Sequence, residues 1–223
     1  MGKLIVLEGI DGSGKSTQYR LLCDRLGQEG ISFSHIVFPR YQKESSALIR
    51  AYLGGAFGSN PGDVNAYTAS TFYAVDRFAS YRDDWGKSYE SGGLILSDRY
   101  TTSNAVHQGS KLSDAELPEF FAWLEDLEYH RMCLPRPDAV LYLDTTLEVS
   151  LRRMERRQAD TNTNADIHEK DVGYLVRCLH TADLACSYYG WNRISCFDAQ
   201  GRERTAEEKQ EEIFALLQSI LSR

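Results

Sequence analysis

The chain has 223 residues, 42% of them apolar and 26% charged, which suits one globular α/β domain. Its formal net charge of -7 argues against a DNA- or RNA-binding protein, because such proteins use lysines and arginines to neutralise phosphates. No apolar run reaches the roughly 18 residues that a membrane-spanning helix needs. The five cysteines form no C-x-x-C pair, so we expect reduced thiols in a cytoplasmic protein and no zinc site.

Short apolar runs alternate along the chain with longer helical stretches. The runs have the length of strands and are almost continuously apolar, which is typical of strands buried on both faces of a parallel sheet. They are Leu4–Leu7, Phe33–Phe38, Leu94–Leu96 with Ser97, Ala139–Leu143 and Arg193–Phe197. The helical stretches between them indicate βαβ units. We therefore predict the α/β class, with one domain over residues 1–223.

The first predicted strand leads into a phosphate-binding pattern. Residues 9–16 read Gly-Ile-Asp-Gly-Ser-Gly-Lys-Ser and match G-x-x-x-x-G-K-[ST] at every fixed position. The glycines let the backbone curl so that N–H groups point at phosphate oxygens, and the helix predicted over Thr17–Gly27 adds its positive end. Lys15 is placed to reach the β- and γ-phosphates of a nucleotide, and the Ser16 hydroxyl to bind Mg²⁺.

Arginines directly follow the next two predicted strands. Arg40 ends the sequence Phe-Pro-Arg after the second strand, and Asp98 and Arg99 follow the third. Ligands of open parallel sheets bind at the carboxyl ends of the strands, so both arginines are expected at a substrate that carries phosphate. If its strand lies beside the P-loop strand, Asp98 can hold Mg²⁺ through water. For Arg40, an ordinary surface arginine is the alternative.

The helix predicted around residues 69–81 has two distinct faces. Three apolar residues have the spacing of a core-facing side: Phe72, Val75 and Ala79. Tyr73 and Arg77 lie one turn apart on another face. The ring could stack on a nucleobase while the guanidinium binds a phosphate or the base edge. A solvent-exposed face with a simple Tyr–Arg contact is the alternative.

A P-loop does not by itself define a reaction. A regulatory GTPase would need an N-K-x-D segment, and the chain contains no Asn-Lys pair. A nucleic-acid motor would be larger and would carry a basic groove. The arginines at the strand ends favour a small-molecule kinase with a phosphorylated acceptor. Another nucleotide or nucleoside kinase of this fold, and a nucleotide-binding switch without acceptor chemistry, remain alternatives.

The order and spacing of these motifs resemble the thymidylate kinase family over the whole chain. The matching segments are residues 9–17, 38–40, 73–77, 98–100 and 137–144. The resemblance implies a three-layer P-loop NTPase fold: a five-stranded parallel sheet, helices on both faces and a short lid. It implies transfer of the γ-phosphoryl group of ATP to thymidine monophosphate (dTMP) with Mg²⁺. It also implies a homodimer, to which the helices Phe72–Tyr81 and Phe120–Leu127 would contribute apolar surface.

The resemblance implies roles for individual residues. ATP would be bound by Gly9, Asp11, Gly12, Ser13, Gly14, Lys15, Ser16 and Thr17. Asp11 would also contact the sugar 3′-hydroxyl, and Arg40 and Arg99 would position the acceptor phosphate. The nucleoside would be bound by Tyr73, Arg77, Ser103, Asn104, His107, Gln108 and Glu169. Tyr73 would stack on thymine, and Arg77 and Asn104 would hydrogen-bond to it. His107 stands where the family often has an aromatic residue, so its role is open between substrate contact and structure.

The segment that begins at Leu151 resembles the start of the family's lid, placed at about residues 153–168. The polar stretch Gln158–Asp166 suggests a flap over the site or an ordinary surface loop. Arg153 would pack on the adenine of ATP. Because the P-loop has no basic residue before Lys15, the lid must supply the catalytic charge. Arg157 is the first candidate and Arg156 the second.

Overall fold

The computed structural model of the protein describes residues 1–161 and 171–222. Its strands are β1 (Lys3–Glu8), β2 (Phe33–Val37), β3 (Leu94–Asp98), β4 (Ala139–Asp144) and β5 (Asn192–Ser195). They form one parallel sheet in the order β2-β3-β1-β4-β5. The five-stranded parallel sheet expected from the sequence is confirmed, with strand ends shifted by one or two residues.

The helices lie between and after the strands. They are α1 (Lys15–Gln28), α2 (Ala47–Leu53), α3 (Ala66–Ser80), α4 (Gly86–Glu90), α5 (Thr101–His107), α6 (Leu117–Glu125), α7 (Leu147–Thr161), α8 (Val172–Tyr189) and α9 (Ala206–Leu221). Two π-helical segments extend α3 and α6, at Tyr81–Trp85 and Asp126–Arg131. None of the helices in the described ranges combines the length and the apolar character that crossing a bilayer requires.

The sheet has helices on both faces, as predicted. On β1, Ile5 and Leu7 point into a core shared with α1 and α9, whereas Leu4 and Val6 point into a second core on the opposite face. Side chains of successive strand residues alternate between faces, so a continuously apolar strand fills both cores. All four residues are fully buried.

The register of the sheet brings the two main sequence motifs together. Leu7 of β1 pairs with Asp98 of β3, and the Arg99 amide donates to the Leu7 carbonyl at 3.0 Å. The loop after β1 and the residues after β3 therefore leave the same edge of the sheet. Arg99 adopts a φ of 68°, a conformation that is uncommon for residues other than glycine. This turn directs the chain from β3 into α5.

Two expectations about apolar surfaces are wrong. Val75, expected on a core-facing side together with Phe72 and Ala79, is 49% exposed, because α3 buries the side of Ala74 and Arg77 instead. Phe78 is 40% exposed as well, so this helix presents exposed apolar side chains. The main apolar side chains of α6, Phe120 and Leu124, are fully buried inside the protein and leave little surface for a partner.

The first residues of the polar stretch Gln158–Asp166, predicted to be a flap or a loop, are helical instead. Helix α7 continues to Thr161, so residues 158–161 are helical. The remainder of the stretch, together with Glu169, lies outside the described residues.

Candidate active site

The loop between β1 and α1 has a fixed backbone shape. Gly12 and Gly14 have positive φ angles of 77° and 92°. A Cβ atom on Gly12 would lie 2.3 Å from the carbonyl oxygen of Ser150, so no other residue fits there. The Ser150 hydroxyl donates to the carbonyl of Asp11. The loop is thus held against α7 while its amides and the start of α1 face a cavity.

This P-loop cavity has a volume of about 560 Å³. It is lined by residues 10–18 and, from other segments, by Arg99, Arg153, Met154, Arg157, Glu203, Arg204, Thr205, Ala206 and Lys209. The volume lies in the range of small-molecule and cofactor sites, and the lining combines a helix N-terminus with several cations. The cavity is therefore suited to a molecule that carries several phosphates.

Lys15 and Asp98 form a buried ion pair beside this cavity. Burial lowers the pKa of Lys15, and so does the charge of Arg99, whereas Asp98 opposes the change. Lys15 and Ser16 line the P-loop cavity. Asp98 is not among the residues described as lining either cavity, and its described link to the site is the ion pair with Lys15.

A second cavity of about 220 Å³ adjoins the first. It collects most of the residues predicted to bind the acceptor: Asp11, Tyr73, Arg77, Arg99, Ser103, Asn104, His107 and Gln108. Asp11, Arg99 and Arg157 line both cavities. These three charged residues therefore mark the junction at which molecules in the two cavities would meet.

Arg99 is held in place by two carboxylates. Its Nη2 donates to Asp11 Oδ1 at 2.7 Å, and its Nη1 to Glu8 Oε1 at 3.1 Å. Burial works to lower the pKa of Arg99, but Asp11 and Glu8 outweigh it and raise the pKa. Burial likewise works to raise the pKa of Asp11, yet Arg99 and the neighbouring cations lower it to about 2. Both groups therefore stay charged at neutral pH.

Glu8 was not predicted as a site residue. Its fully buried carboxylate accepts from the Gly9 amide at 2.9 Å and from the Thr102 and Ser103 hydroxyls at 2.6 and 2.7 Å. Together with the bond from Arg99, these contacts satisfy a charge at the end of an apolar strand. The signal in the sequence is an acid directly after an apolar strand, since a buried carboxylate needs partners.

The other end of the second cavity contains a second buried arginine. Arg77 donates from Nε and Nη2 to the two carboxylate oxygens of Glu128, at 2.5 and 2.6 Å. Asn104 donates from Nδ2 to the Ser70 carbonyl at 3.1 Å and to Glu128 at 3.4 Å. Tyr73 and Tyr41 add aromatic rings to the lining. Sequence reasoning missed Glu128 and Tyr41, although Tyr41 directly follows Arg40.

His107 links the cavity wall to Arg99. Its Nε2 lies 3.1 Å from Arg99 Nη1, and its Nδ1 lies 3.3 Å from the Tyr174 hydroxyl. Arginine can only donate, so Nε2 accepts and the ring proton belongs on Nδ1. The imidazole lines the second cavity and also contacts Arg99.

The structure does not bring Arg40 to the acceptor cavity as predicted. Its Nε donates to Asp76 Oδ1 at 3.2 Å, its Nη1 to Asp84 at 2.6 Å and its Nη2 to Ser45 at 3.0 Å. Asp76 is only 1% exposed and requires a counter-charge. Tyr41, the next residue, is described as lining the cavity, and Arg40 is not.

We expect Arg40→Met to reduce stability more than catalysis. Loss of the guanidinium leaves the Asp76 carboxylate buried without a charge partner, which should cost about 3 kcal/mol in the free energy of unfolding. Urea denaturation measures this cost, and kcat should fall far less than in a variant of Arg99. The control Asp84→Asn removes a partner that is 40% exposed and should cost less than about 1 kcal/mol. Normal stability together with a collapse of kcat would place Arg40 in the reaction instead.

Three arginines of α7 differ in which cavity they line. Arg153 donates from Nη1 to the carbonyls of Gly12 and Ser13, at 3.2 and 2.8 Å, and from Nη2 to Glu203 at 2.7 Å. It lines the P-loop cavity, whereas Arg157 lines both cavities. In the part of the chain that the structure describes, Arg156 lines neither.

Sequence comparison shows which known proteins this chain is similar to. The sequence model of the family described as "Thymidylate kinase" matches residues 7–180. A thymidylate kinase of Mycobacterium tuberculosis is 31% identical over 192 residues, covering 84% of this chain and 87% of that protein. One from Symbiobacterium thermophilum is 29% identical over 224 residues, covering 100% and 96%. A probable thymidylate kinase of Methanococcus aeolicus is 33% identical over 171 residues, covering 76% of each.

Proposed function

The chain belongs to the thymidylate kinase family, and on this basis we propose that it transfers the γ-phosphoryl group of ATP to dTMP, giving ADP and dTDP. The observation that carries the proposal is the meeting of the two cavities at Asp11, Arg99 and Arg157. ATP would fill the P-loop cavity and dTMP the second cavity, so that the acceptor phosphate and the γ-phosphoryl group lie on either side of Arg99.

The reaction needs positioning and charge neutralisation more than proton transfer. The acceptor phosphate is already largely ionised near neutral pH, so no strong general base is required. Arg99, fixed by Glu8 and Asp11, would hold the acceptor phosphate. Lys15 and Arg157 would stabilise charge on the transferring group. Because Arg99 and Lys15 are already held by ion pairs, these two cations need little reorganisation during transfer.

The chain fits a Mg²⁺ ion that is bound mainly by the nucleotide. Mg²⁺ in phosphoryl-transfer sites uses one or two protein groups together with phosphates and water. The residues that the structure describes contain no cluster of three or more His, Cys, Asp or Glu side chains for a metal. Ser16 would ligate the ion directly and Asp98 through water. When bound, the ion would neutralise charge on the phosphate oxygens.

We also propose a homodimer in the cytoplasm. The support is the family resemblance, the reduced cysteines and the exposed apolar residues Val75 and Phe78 on α3. Analytical ultracentrifugation tests the assembly. A dimer that Val75→Asp converts to a monomer is the expected result, and a wild-type monomer at micromolar concentration would refute it.

A substrate panel tests the proposed activity. ADP release is measured with ATP, Mg²⁺ and each common nucleoside monophosphate or nucleoside, with dTMP expected to give the highest kcat/KM. Faster phosphorylation of thymidine than of dTMP would identify a nucleoside kinase instead. ATP hydrolysis that does not depend on any acceptor would identify a nucleotide-binding switch.

A further inference from the structure

We infer that Glu128 determines which pyrimidine the second cavity accepts, by fixing the hydrogen-bonding direction of Arg77 and Asn104. Glu128 is not among the residues described as lining either cavity, so it would act as a positioning residue. The inference rests on the proposed function, because it assumes that a nucleobase occupies this end of the cavity.

The carboxylate of Glu128 is fully buried and accepts four hydrogen bonds. Oε2 accepts from Arg77 Nε at 2.5 Å and from the Thr101 hydroxyl at 3.0 Å. Oε1 accepts from Arg77 Nη2 at 2.6 Å and from Asn104 Nδ2 at 3.4 Å. Each oxygen thus has two donors, and a buried carboxylate with this many partners is held in one orientation.

These contacts decide which way the Asn104 amide faces. Its nitrogen lies 3.1 Å from the Ser70 carbonyl oxygen and 3.4 Å from Glu128 Oε1, and both of these oxygens can only accept. A flipped amide would place its own oxygen against two acceptors. The hydrogen-bond network therefore assigns the nitrogen to this side, and the amide oxygen remains as the polar atom that can serve the cavity.

Arg77 can present hydrogen-bond donors to the cavity, in contrast to the accepting oxygen of Asn104. Its described contacts, two to Glu128 and one of 3.4 Å from Nη1 to the Tyr100 carbonyl, use three of its five N–H groups. Burial works to lower the pKa of Arg77, but Glu128 outweighs it and raises the pKa. Arg77 is therefore a permanent donor. Arg77 and Asn104 both contact Glu128 Oε1. The N–H donors of Arg77 and the accepting amide oxygen of Asn104 therefore lie side by side.

This pair matches a 4-oxo pyrimidine and opposes a 4-amino pyrimidine. Thymine and uracil offer an accepting oxygen at C4 and a donating N3–H group, whereas cytosine offers a donating amine and an accepting N3. A mobile Asn104 could rotate to donate to cytosine N3. Glu128 and the Ser70 carbonyl oppose that rotation, so the cytosine edge would meet unpaired polar groups.

The test is Glu128→Gln, assayed with dTMP and with deoxycytidine monophosphate (dCMP). With its carbonyl in place of Oε2, a glutamine still accepts from Arg77 Nε. Its NH₂ group, in place of Oε1, no longer accepts from Arg77 Nη2 and can donate to a flipped Asn104. We expect the ratio of kcat/KM for dTMP to that for dCMP to fall by about tenfold or more. The ratio does not depend on the fraction of folded enzyme, so partial unfolding cannot produce or hide the effect. An unchanged ratio would overturn the inference.

Glu8→Gln is the matched control, because Glu8 is also fully buried but supports Arg99 at the phosphate end. It should lower kcat/KM for both nucleotides by the same factor and leave the ratio unchanged. If Glu128 had a purely structural role, Glu128→Gln would also lower kcat/KM equally for both nucleotides and leave the ratio unchanged.

Thr101→Val is a second test, for use if Glu128→Gln is inactive. It removes one hydrogen-bond donor to Glu128 without removing a charge, and it should also lower the ratio of kcat/KM for dTMP to that for dCMP. A wild-type enzyme without dTMP-dependent ADP release would refute the proposed function itself.

Discussion

Replacing Arg99 with alanine is expected to lower kcat by about 10²–10³-fold. Arg99 lines both cavities, and its guanidinium is fixed by Asp11 and Glu8 at 2.7 and 3.1 Å. Its removal takes away the cation at the point where the acceptor phosphate and the γ-phosphoryl group would meet. Steady-state kinetics with saturating ATP and dTMP measure the effect, with rates normalised to folded enzyme because the two carboxylates lose a partner.

Arg99→Lys is the matched control for charge. Lysine keeps the positive charge but lacks the planar guanidinium group with which arginine can contact two carboxylates and a phosphate at once. Its kcat should therefore lie between those of the wild type and Arg99→Ala, and ATP affinity should change little in either variant. Near-normal turnover by folded Arg99→Ala would remove Arg99 from the reaction and would invalidate the site as described.

Arg157→Ala is expected to lower kcat by about 10³-fold, the effect of losing an arginine that stabilises the charge of a transferring phosphoryl group. Arg157 lines both cavities from helix α7. The P-loop contributes no basic side chain before Lys15, so no second cation of the loop can replace it. Single-turnover measurement of phosphoryl transfer isolates this effect from substrate binding.

Arg156→Ala is the matched control, since Arg156 is the adjacent arginine of the same helix. It lines neither cavity in the part of the chain described, and its loss should change kcat by only a small factor. The reverse pattern, with Arg156→Ala inactive and Arg157→Ala normal, would transfer the catalytic role to Arg156. Normal turnover in both variants would contradict a catalytic charge from either Arg156 or Arg157.

The sheet and the phosphate loop could be predicted because their signals are local. A continuously apolar run such as Leu4–Leu7 specifies a strand with two buried faces, and the structure confirms the parallel sheet. The P-loop pattern is contiguous in sequence. The carboxyl-end rule for parallel sheets predicted that Arg99 would lie at the ligand-binding edge of the sheet. The structure adds that its strand pairs directly with the P-loop strand.

The partners of the arginines could not be predicted because they are distant in sequence. Glu128 lies 51 residues from Arg77 and belongs to no recognisable motif, yet it is the charge partner of Arg77 on the buried side of α3, while Val75 is exposed. Arg40 follows a strand just as Arg99 does, but the buried Asp76 engages it away from the second cavity. Helical periodicity identifies apolar faces and does not reveal that an ion pair will be buried.

The most direct test of the proposed function is phosphorus NMR of a mixture of ATP, dTMP, Mg²⁺ and the protein. The two-cavity arrangement predicts that dTDP and ADP accumulate in equal amounts while inorganic phosphate stays at background. Appearance of ADP with inorganic phosphate while dTMP remains unchanged would contradict phosphoryl transfer between the two cavities.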